Sequence, residues 1–425
     1  MRTARILLAA WSVCLAAPLQ AAEQLQVWIR ASTESRRTYD AIAAAFRAKT
    51  GVGIEYFNAI TDFEQRLARA AAGGSLPDVV FDDAAYLGQF VAMGIVAEVD
   101  RGRLKGAADI LNLAWESAQA SDGKYYGVPT SAQAFALFIR KDWRTKLGLP
   151  VPKTWGDLEA LARAFVERDP DGNGKNDTYG FVLPASTTRG YASWFLSSFI
   201  WQAGDDMVRP VNGGFRAALG KPTGQAIAFM RSMVCNKLTQ PGAINATTAD
   251  AIPAFRSGQA GIFFTGPYHL AVFDKEPGKD RYEVVAAPTG PKDATVLAEG
   301  TTAYVMKASP KKARALAFIE FVISREGQEL GMTGAGGQPV VRLPVNKKVN
   351  VREVYRDERW DLINELYTKK GRYVPHVPNW QPIRQLTAEG FNRALASCNS
   401  NIDQELAGLS EKVNAELAKQ NALAR

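Results

Sequence analysis

Histidine and cysteine are scarce. The 425 residues hold two histidines, His269 and His376, and three cysteines. With neither G-x-S-x-G nor H-E-x-x-H anywhere in the chain, triad hydrolysis and zincin chemistry lack their signatures. Beyond the first residues no apolar run is long enough to span a bilayer. The formal net charge of +8 is scattered rather than gathered into basic runs, which argues against a nucleic acid partner. No internal repeat and no low-complexity linker interrupts the pattern, so a floppy tether between domains is excluded.

The segment MRTARILLAAWSVCLAAPLQAAEQ places Arg2 and Arg5 before an apolar run and then small residues at Ala21 and Ala22. This is the layout of a cleavable export signal over residues 1–22. Trp11, Ser12 and Val13 ahead of Cys14 do not suit a lipoprotein signal, so a soluble periplasmic protein of a Gram-negative cell is expected. Loss of the signal lowers the formal charge from +8 to +6 and removes Cys14. Cys235 and Cys398 remain, and an oxidising compartment invites them to pair, two separate buried thiols being the alternative.

A chain this long exceeds one ordinary domain, and two lobes are expected. The mature chain opens with LQVWI (25–29), a helical pattern through Tyr39, Ile42 and Phe46, VGIEYF (52–57), a second helix, and DVVF (78–81). That βαβαβ order predicts an α/β fold with a parallel sheet covered on both faces. Thr154 and Asp157 form a T-x-x-D cap before Leu158, Leu161 and Phe165. The middle of the chain is helical and aromatic. Strand character returns at YEVVAAPTG and TTAYVM, followed by a helix begun at Ser309-Pro310 with Leu316, Phe318, Ile319 and Val322 on its buried side.

Several stretches, in order, resemble the maltose-binding-protein-like family, the extracellular solute-binding proteins of sugar ABC importers. They are LPDVVFDDAAYLGQFVAMGIVAEVD, DGKYYGVPTSAQAFALFIRKDW, TWGDLEALARAF, GQAGIFFTGPYHL, and AAPTG with GTTAYVMKASPKKARALAFIEFVISREGQ. The resemblance implies the two-lobe, type II periplasmic binding protein fold with crossover strands as its hinge. It implies lobes at 23–130 with 290–325 and at 131–289 with 326–425, and a monomer that closes on a sugar and delivers it to a membrane permease. Sugars need aromatic plates for their CH faces and polar groups for their hydroxyls. By position in the resemblance, Tyr268 in FTGPY and Trp194 in YASWFL are the plates, either of which could instead be core. Asp82, Asp83 and Tyr86 follow a parallel strand at its ligand-binding end, with a helix N-cap as the competing role for Asp83. Gln133, the loop residues Arg30, Ser32 and Glu34, the trio Glu299, Gly300 and Thr301, and Trp380 complete the implied site. Arg30 and Glu34 could alternatively form a surface pair. Gly300 is expected to let backbone approach the ligand.

RDPDGNGKNDTYGF (168–181) resembles a calcium loop: Asp169, Asp171, Asn173, Lys175 through its carbonyl, and Asp177 occupy EF-hand ligand positions, with Gly180 where a bidentate glutamate would stand. A structural Ca2+ away from the sugar is expected, an Asx-Gly turn that needs no ion being the alternative, and no organic cofactor. Two alternatives compete with a neutral-sugar binder. One is a binder of an acidic ligand, a uronate oligosaccharide or glycerol 3-phosphate, using Arg30, Arg342 or Arg384. The other is a carbohydrate-active enzyme drawing an acid and a base from Asp82, Asp83 and Glu299. Ferric capture is disfavoured, because Tyr125 and Tyr126 are adjacent and point apart.

Overall fold

The computed structural model describes residues 24–60 and 62–425, so the expected export signal and Cys14 lie outside the described residues. The strands are β1 (Gln24–Arg30), β2 (Gly53–Ala59), β3 (Val79–Asp83), β4 (Val128–Ala134), β5 (Ala136–Arg140), β6 (Tyr179–Val182), β7 (Val208–Val211), β8 (Gly214–Ala217), β9 (Ala260–Thr265), β10 (Tyr282–Val285), β11 (Val296–Val305) and β12 (Gly371–Arg372). Two sheets carry the lobes, ordered β12-β11-β3-β1-β2 with β4 also on β11, and β10-β5-β9-β6. A small β7-β8 hairpin stands apart.

The opening βαβαβ is present, with β2, β1 and β3 parallel. Helix Arg36–Thr50 buries Tyr39, Ile42 and Phe46 at three- and four-residue spacing, and Gly51 ends it at φ 76°, a left-handed turn that glycine adopts without strain. Val79, Val80 and Phe81 are all buried, the unbroken apolar run of a strand covered on both faces. Thr154 and Asp157 form the reciprocal capping box at helix Trp155–Glu167.

The lobes are joined by chain that changes sheets. Only Phe135 separates β4 in the first sheet from β5 in the second, and its buried ring packs against Trp194, Phe195 and Phe264. Residues 286–295 return the chain from β10 to β11. Helix Glu358–Lys370, packed on both β4 and β10, provides a third connection.

The lobe boundary differs from the expected one at 326. Helix Arg325–Thr333 and the chain after it pack on the first lobe: Thr38 Oγ1 donates to the carbonyls of Gly334 and Gln338 at 2.8 and 2.7 Å, and Leu343 N–H donates to Ala132 at 2.9 Å. Gln328 Nε2 donates to the Thr130 carbonyl at 2.8 Å from the same buried face. The second lobe takes up the chain again with helices Trp380–Ala396 and Ile402–Lys419, which pack on helices Tyr191–Ala203 and Lys221–Cys235. A disulfide joins Cys235 to Cys398 across this helical layer. Among the described residues no helix is long and apolar enough to cross a membrane.

Candidate ligand-binding cleft

The first lobe directs the carboxyl ends of β1 and β3 at the second, where open α/β sheets place their ligands. β1 ends in Arg30 and β3 in Asp82 and Asp83, and Glu64 sits in the first turn of helix Phe63–Ala72. From the second lobe, Arg189 comes from the turn Thr188–Gly190 and Arg384 from helix Trp380–Ala396. Arg30 Nη1 donates to Asp83 Oδ2 at 3.0 Å. Its Nε lies 3.4 Å from Glu64 Oε1, close enough for charge attraction without hydrogen-bond geometry. Arg189 Nη1 donates to Glu64 Oε2 at 3.0 Å, and its Nη2 lies 2.9 Å from Oε1 as an ion contact without hydrogen-bond geometry, so the pair ties one lobe to the other. Gln381 Nε2 adds a second tie, donating to the Ala85 carbonyl at 2.8 Å.

The acids here do not titrate alike. Burial, then the neighbouring Asp83 and Glu64 carboxylates, push Asp82 well above the usual carboxylate range, and its Oδ2 has no partner among the described residues. Burial also works against the Asp83 carboxylate, but Arg30, Arg189, Arg384 and Arg342 outweigh it and hold Asp83 below its ordinary value. Burial and the Asp83 charge push Glu299 up to about 8 against the opposing pull of Arg384, Arg30 and Arg189. At neutral pH Glu299 is therefore mainly an acid that can donate a proton in a hydrogen bond, Asp82 is shifted in the same direction, and Asp83 accepts.

Two aromatic rings lie parallel in the cleft: Trp194 and Tyr268, with centroids 6.4 Å apart and planes 8° from parallel. The Arg384 guanidinium stands 5.5 Å from the Trp194 centroid, Arg342 lies 5.8 Å from that of Tyr268, and Arg189 lies 5.5 Å from that of Tyr86. Buried polar atoms are nearly always paired in folded proteins, yet several without partners gather here: Trp194 Nε1, Gln133 Oε1, Arg384 Nε, Arg30 Nε and Asp82 Oδ2. Such a concentration is an arrangement that a polar ligand could satisfy. Gln133 and Glu299 face each other across the β4–β11 ladder at the junction of the lobes.

Arg30, Asp82, Asp83, Tyr86, Gln133, Trp194, Tyr268 and Glu299 are thus brought close together where the lobes meet. Thr301, half-buried, pairs with Asp83 across β11 and β3, and its carbonyl accepts from Thr130 Oγ1 at 3.0 Å. Trp380 is 3 % exposed and walls a partly open cavity of about 40 Å³ with Ala85, Glu299 and Tyr373. Ser32 and Glu34 sit apart. Ser32 Oγ lies 3.4 Å from Ser35 Oγ, and Glu34 is exposed on the rim of a 750 Å³ opening whose far side carries Arg256 and Lys275. The surface pair Arg30–Glu34 does not form, because Asp83 and Glu64 take the guanidinium. A Cβ at Gly300 would lie 2.0 Å from the Ser131 carbonyl oxygen, so the close approach of β11 to β4 by itself requires a glycine there. Asp83 makes no side-chain cap of the helical turn that follows it, which removes that competing role. Glu64 and Arg189 were not anticipated. The one local hint is the run Thr188-Arg189-Gly190, where Arg189 at φ 51° and Gly190 at φ 71° turn the guanidinium toward the cleft.

In the acidic loop, Asp169 accepts the backbone N–H groups of Gly172, Asn173 and Gly174, each at 3.0 Å, and Asn173 Nδ2 donates to Asp171 and Asp177. The donors are all oxygen, as calcium requires. Among the described residues, however, no group of three or more His, Cys, Asp or Glu converges as a metal cage.

The family model for bacterial extracellular solute-binding proteins matches residues 41–358. The chain belongs to that family. A putative binding protein of Brucella abortus, BAB2_0491, is 25% identical to this solute-binding protein over 333 residues, 77% of this chain and 76% of its own. The fructooligosaccharide ABC transporter substrate-binding protein FusA of Streptococcus pneumoniae is 25% identical over 267 residues, 57% of this chain and 49% of its own. In three dimensions the GacH receptor of Streptomyces glaucescens, solved unliganded and with acarbose, superposes with a TM-score of 0.80 at 20% identity, covering 95% of this chain and 98% of that one. The solute-binding protein therefore has the two-lobe fold of maltose-binding-protein-like receptors.

Proposed function

We propose that this solute-binding protein captures an oligosaccharide or polyol between its lobes and passes it unchanged to the permease of an ABC importer. The carrying observation is the parallel pair Trp194 and Tyr268 beside buried donors and acceptors that lack partners. A pyranose offers an apolar CH face to such rings and hydroxyls to Gln133, Asp83, Glu299 and the guanidinium groups. FusA, in whose name a saccharide and an ABC transporter both appear, supports the reading. Closure would pivot on Phe135 and on residues 286–295, drawing Arg189 onto Glu64. The hydrolytic alternative is disfavoured, because Asp83, the acid held ionised, is engaged by Arg30 and has no free role as base.

Export to the periplasm by a cleaved signal and action as a monomer belong to the same reading. Calorimetry against a saccharide panel, with the bound sugar recovered and its mass compared, tests it. One-to-one binding with unaltered recovery is expected, and a new reducing end would overturn it. We read the acidic loop as a structural calcium site on its oxygen donors and Asx turns. Added calcium should raise the melting temperature of chelated protein, and an identical melting curve would remove the ion from the account.

A further inference from the structure

Two of the four guanidinium groups gathered at the cleft have no carboxylate partner. Arg30 and Arg189 are paired, with Asp83 and Glu64. Arg342 and Arg384 make no ion pair or side-chain hydrogen bond with the described residues, although both act on Asp83 from a distance. Arg384 is 6 % exposed, a burial that a lone cation tolerates poorly. The fold makes room for it all the same. A Cβ on Gly190 would lie 2.5 to 3.0 Å from Arg384 Cγ, Nε and Cδ, so the missing side chain at 190 is the space the arginine occupies. The remaining acids offer little relief, since Asp82 and Glu299 are both shifted toward their neutral forms. The two free cations lie beside the two plates, Arg384 by Trp194 and Arg342 by Tyr268.

We propose that the ligand is an anionic saccharide, a uronate oligosaccharide whose carboxylates pair with Arg384 and Arg342 while its rings lie against Trp194 and Tyr268. A uronic acid carries an apolar ring face and a carboxylate on the same ring. Guanidinium is the group that recognises a planar carboxylate through two parallel hydrogen bonds. A phosphate ester of a polyol could satisfy the charges but gives the rings little apolar face. The proposal rests on the saccharide-binding reading above and narrows it.

Calorimetry with di- and trigalacturonate, the neutral galactose oligosaccharides of the same lengths, and glycerol 3-phosphate tests it at low and high salt. The uronates should bind about tenfold or more tighter than the neutral sugars, with an advantage that shrinks in salt. In Arg384→Gln and in Arg342→Gln the ratio of uronate to neutral affinity should fall toward one. Arg342 is half-buried, so its variant tests the idea even where Arg384→Gln fails to fold. Equal affinity for both saccharides, unchanged in the variants, would overturn the anionic ligand and leave saccharide binding standing. Binding of glycerol 3-phosphate alone would overturn the uronate, and binding of no saccharide would overturn the reading beneath it.

Discussion

Replacing Arg189 by methionine should open the clamp without weakening either lobe. Methionine has a similar reach and meets the same φ of 51°, so the backbone penalty at this position is nearly unchanged. Glu64 loses its one hydrogen bond among the described residues but keeps the Arg30 guanidinium 3.4 Å away as charge compensation. What disappears is the single hydrogen bond and ion pair from Arg189 to Glu64, between side chains 24% and 12% exposed, with the longer ion contact from Arg189 to Asp83. Charge-assisted hydrogen bonds contribute about 1.5–3 kcal/mol, and the partial exposure of Arg189 reduces that to about 1–2 kcal/mol. Since the pair links the lobes, its loss falls on the closed state and should lower the closed-to-open ratio by about 5- to 30-fold. Energy transfer between one label on each lobe reads that ratio directly, and the melting temperature should hold because no contact within a lobe is lost. An unchanged ratio in the variant would refute the claim that this pair holds the lobes together.

Glu299→Gln, a mimic of the protonated acid, should remove a pH dependence of stability. With Glu299 raised from 4.5 to about 8, the folded chain keeps a proton that the unfolded chain releases, so this group's contribution is whole below 4.5 and declines as pH rises to about 8. The variant should gain melting temperature relative to the parent across that interval, and a constant difference would contradict the assignment. The disulfide closes 163 residues of sequence separation and contributes at most about 5 kcal/mol in the entropic treatment, so reduction should lower the melting temperature. Two free thiols titrated in denatured, unreduced protein would contradict the bond. Tyr268→Ala should weaken saccharide binding by about tenfold through the lost plate, while equal affinity with a lower melting temperature would make Tyr268 a packing residue.

The parts of the fold legible in the sequence were those written in local periodicity. Leu25, Val27 and Ile29, the helix face of Tyr39, Ile42 and Phe46, and the Thr154–Asp157 cap each announce an element from neighbouring residues alone. The boundary at 326 was not legible. The amphipathic pattern of helix Arg325–Thr333 says that one face is buried but not against which lobe. Gly300 was placed by its chain position, while its reason lies across the ladder in Ser131. Glu64 and Arg189, 125 residues apart, meet only because the lobes close, and neither carries a local signal of the other. Asp83, Tyr268 and Trp194 were found through resemblance and residue chemistry together, since an aromatic ring among aromatic rings looks the same in a core as in a cleft.

The most direct test of a saccharide-capturing clamp is small-angle scattering of the protein titrated with an oligosaccharide that calorimetry shows to bind. A radius of gyration that falls with saturation at a one-to-one ratio, with the sugar recovered intact, is expected. Saturation with no compaction, or compaction accompanied by cleavage of the sugar, would contradict it.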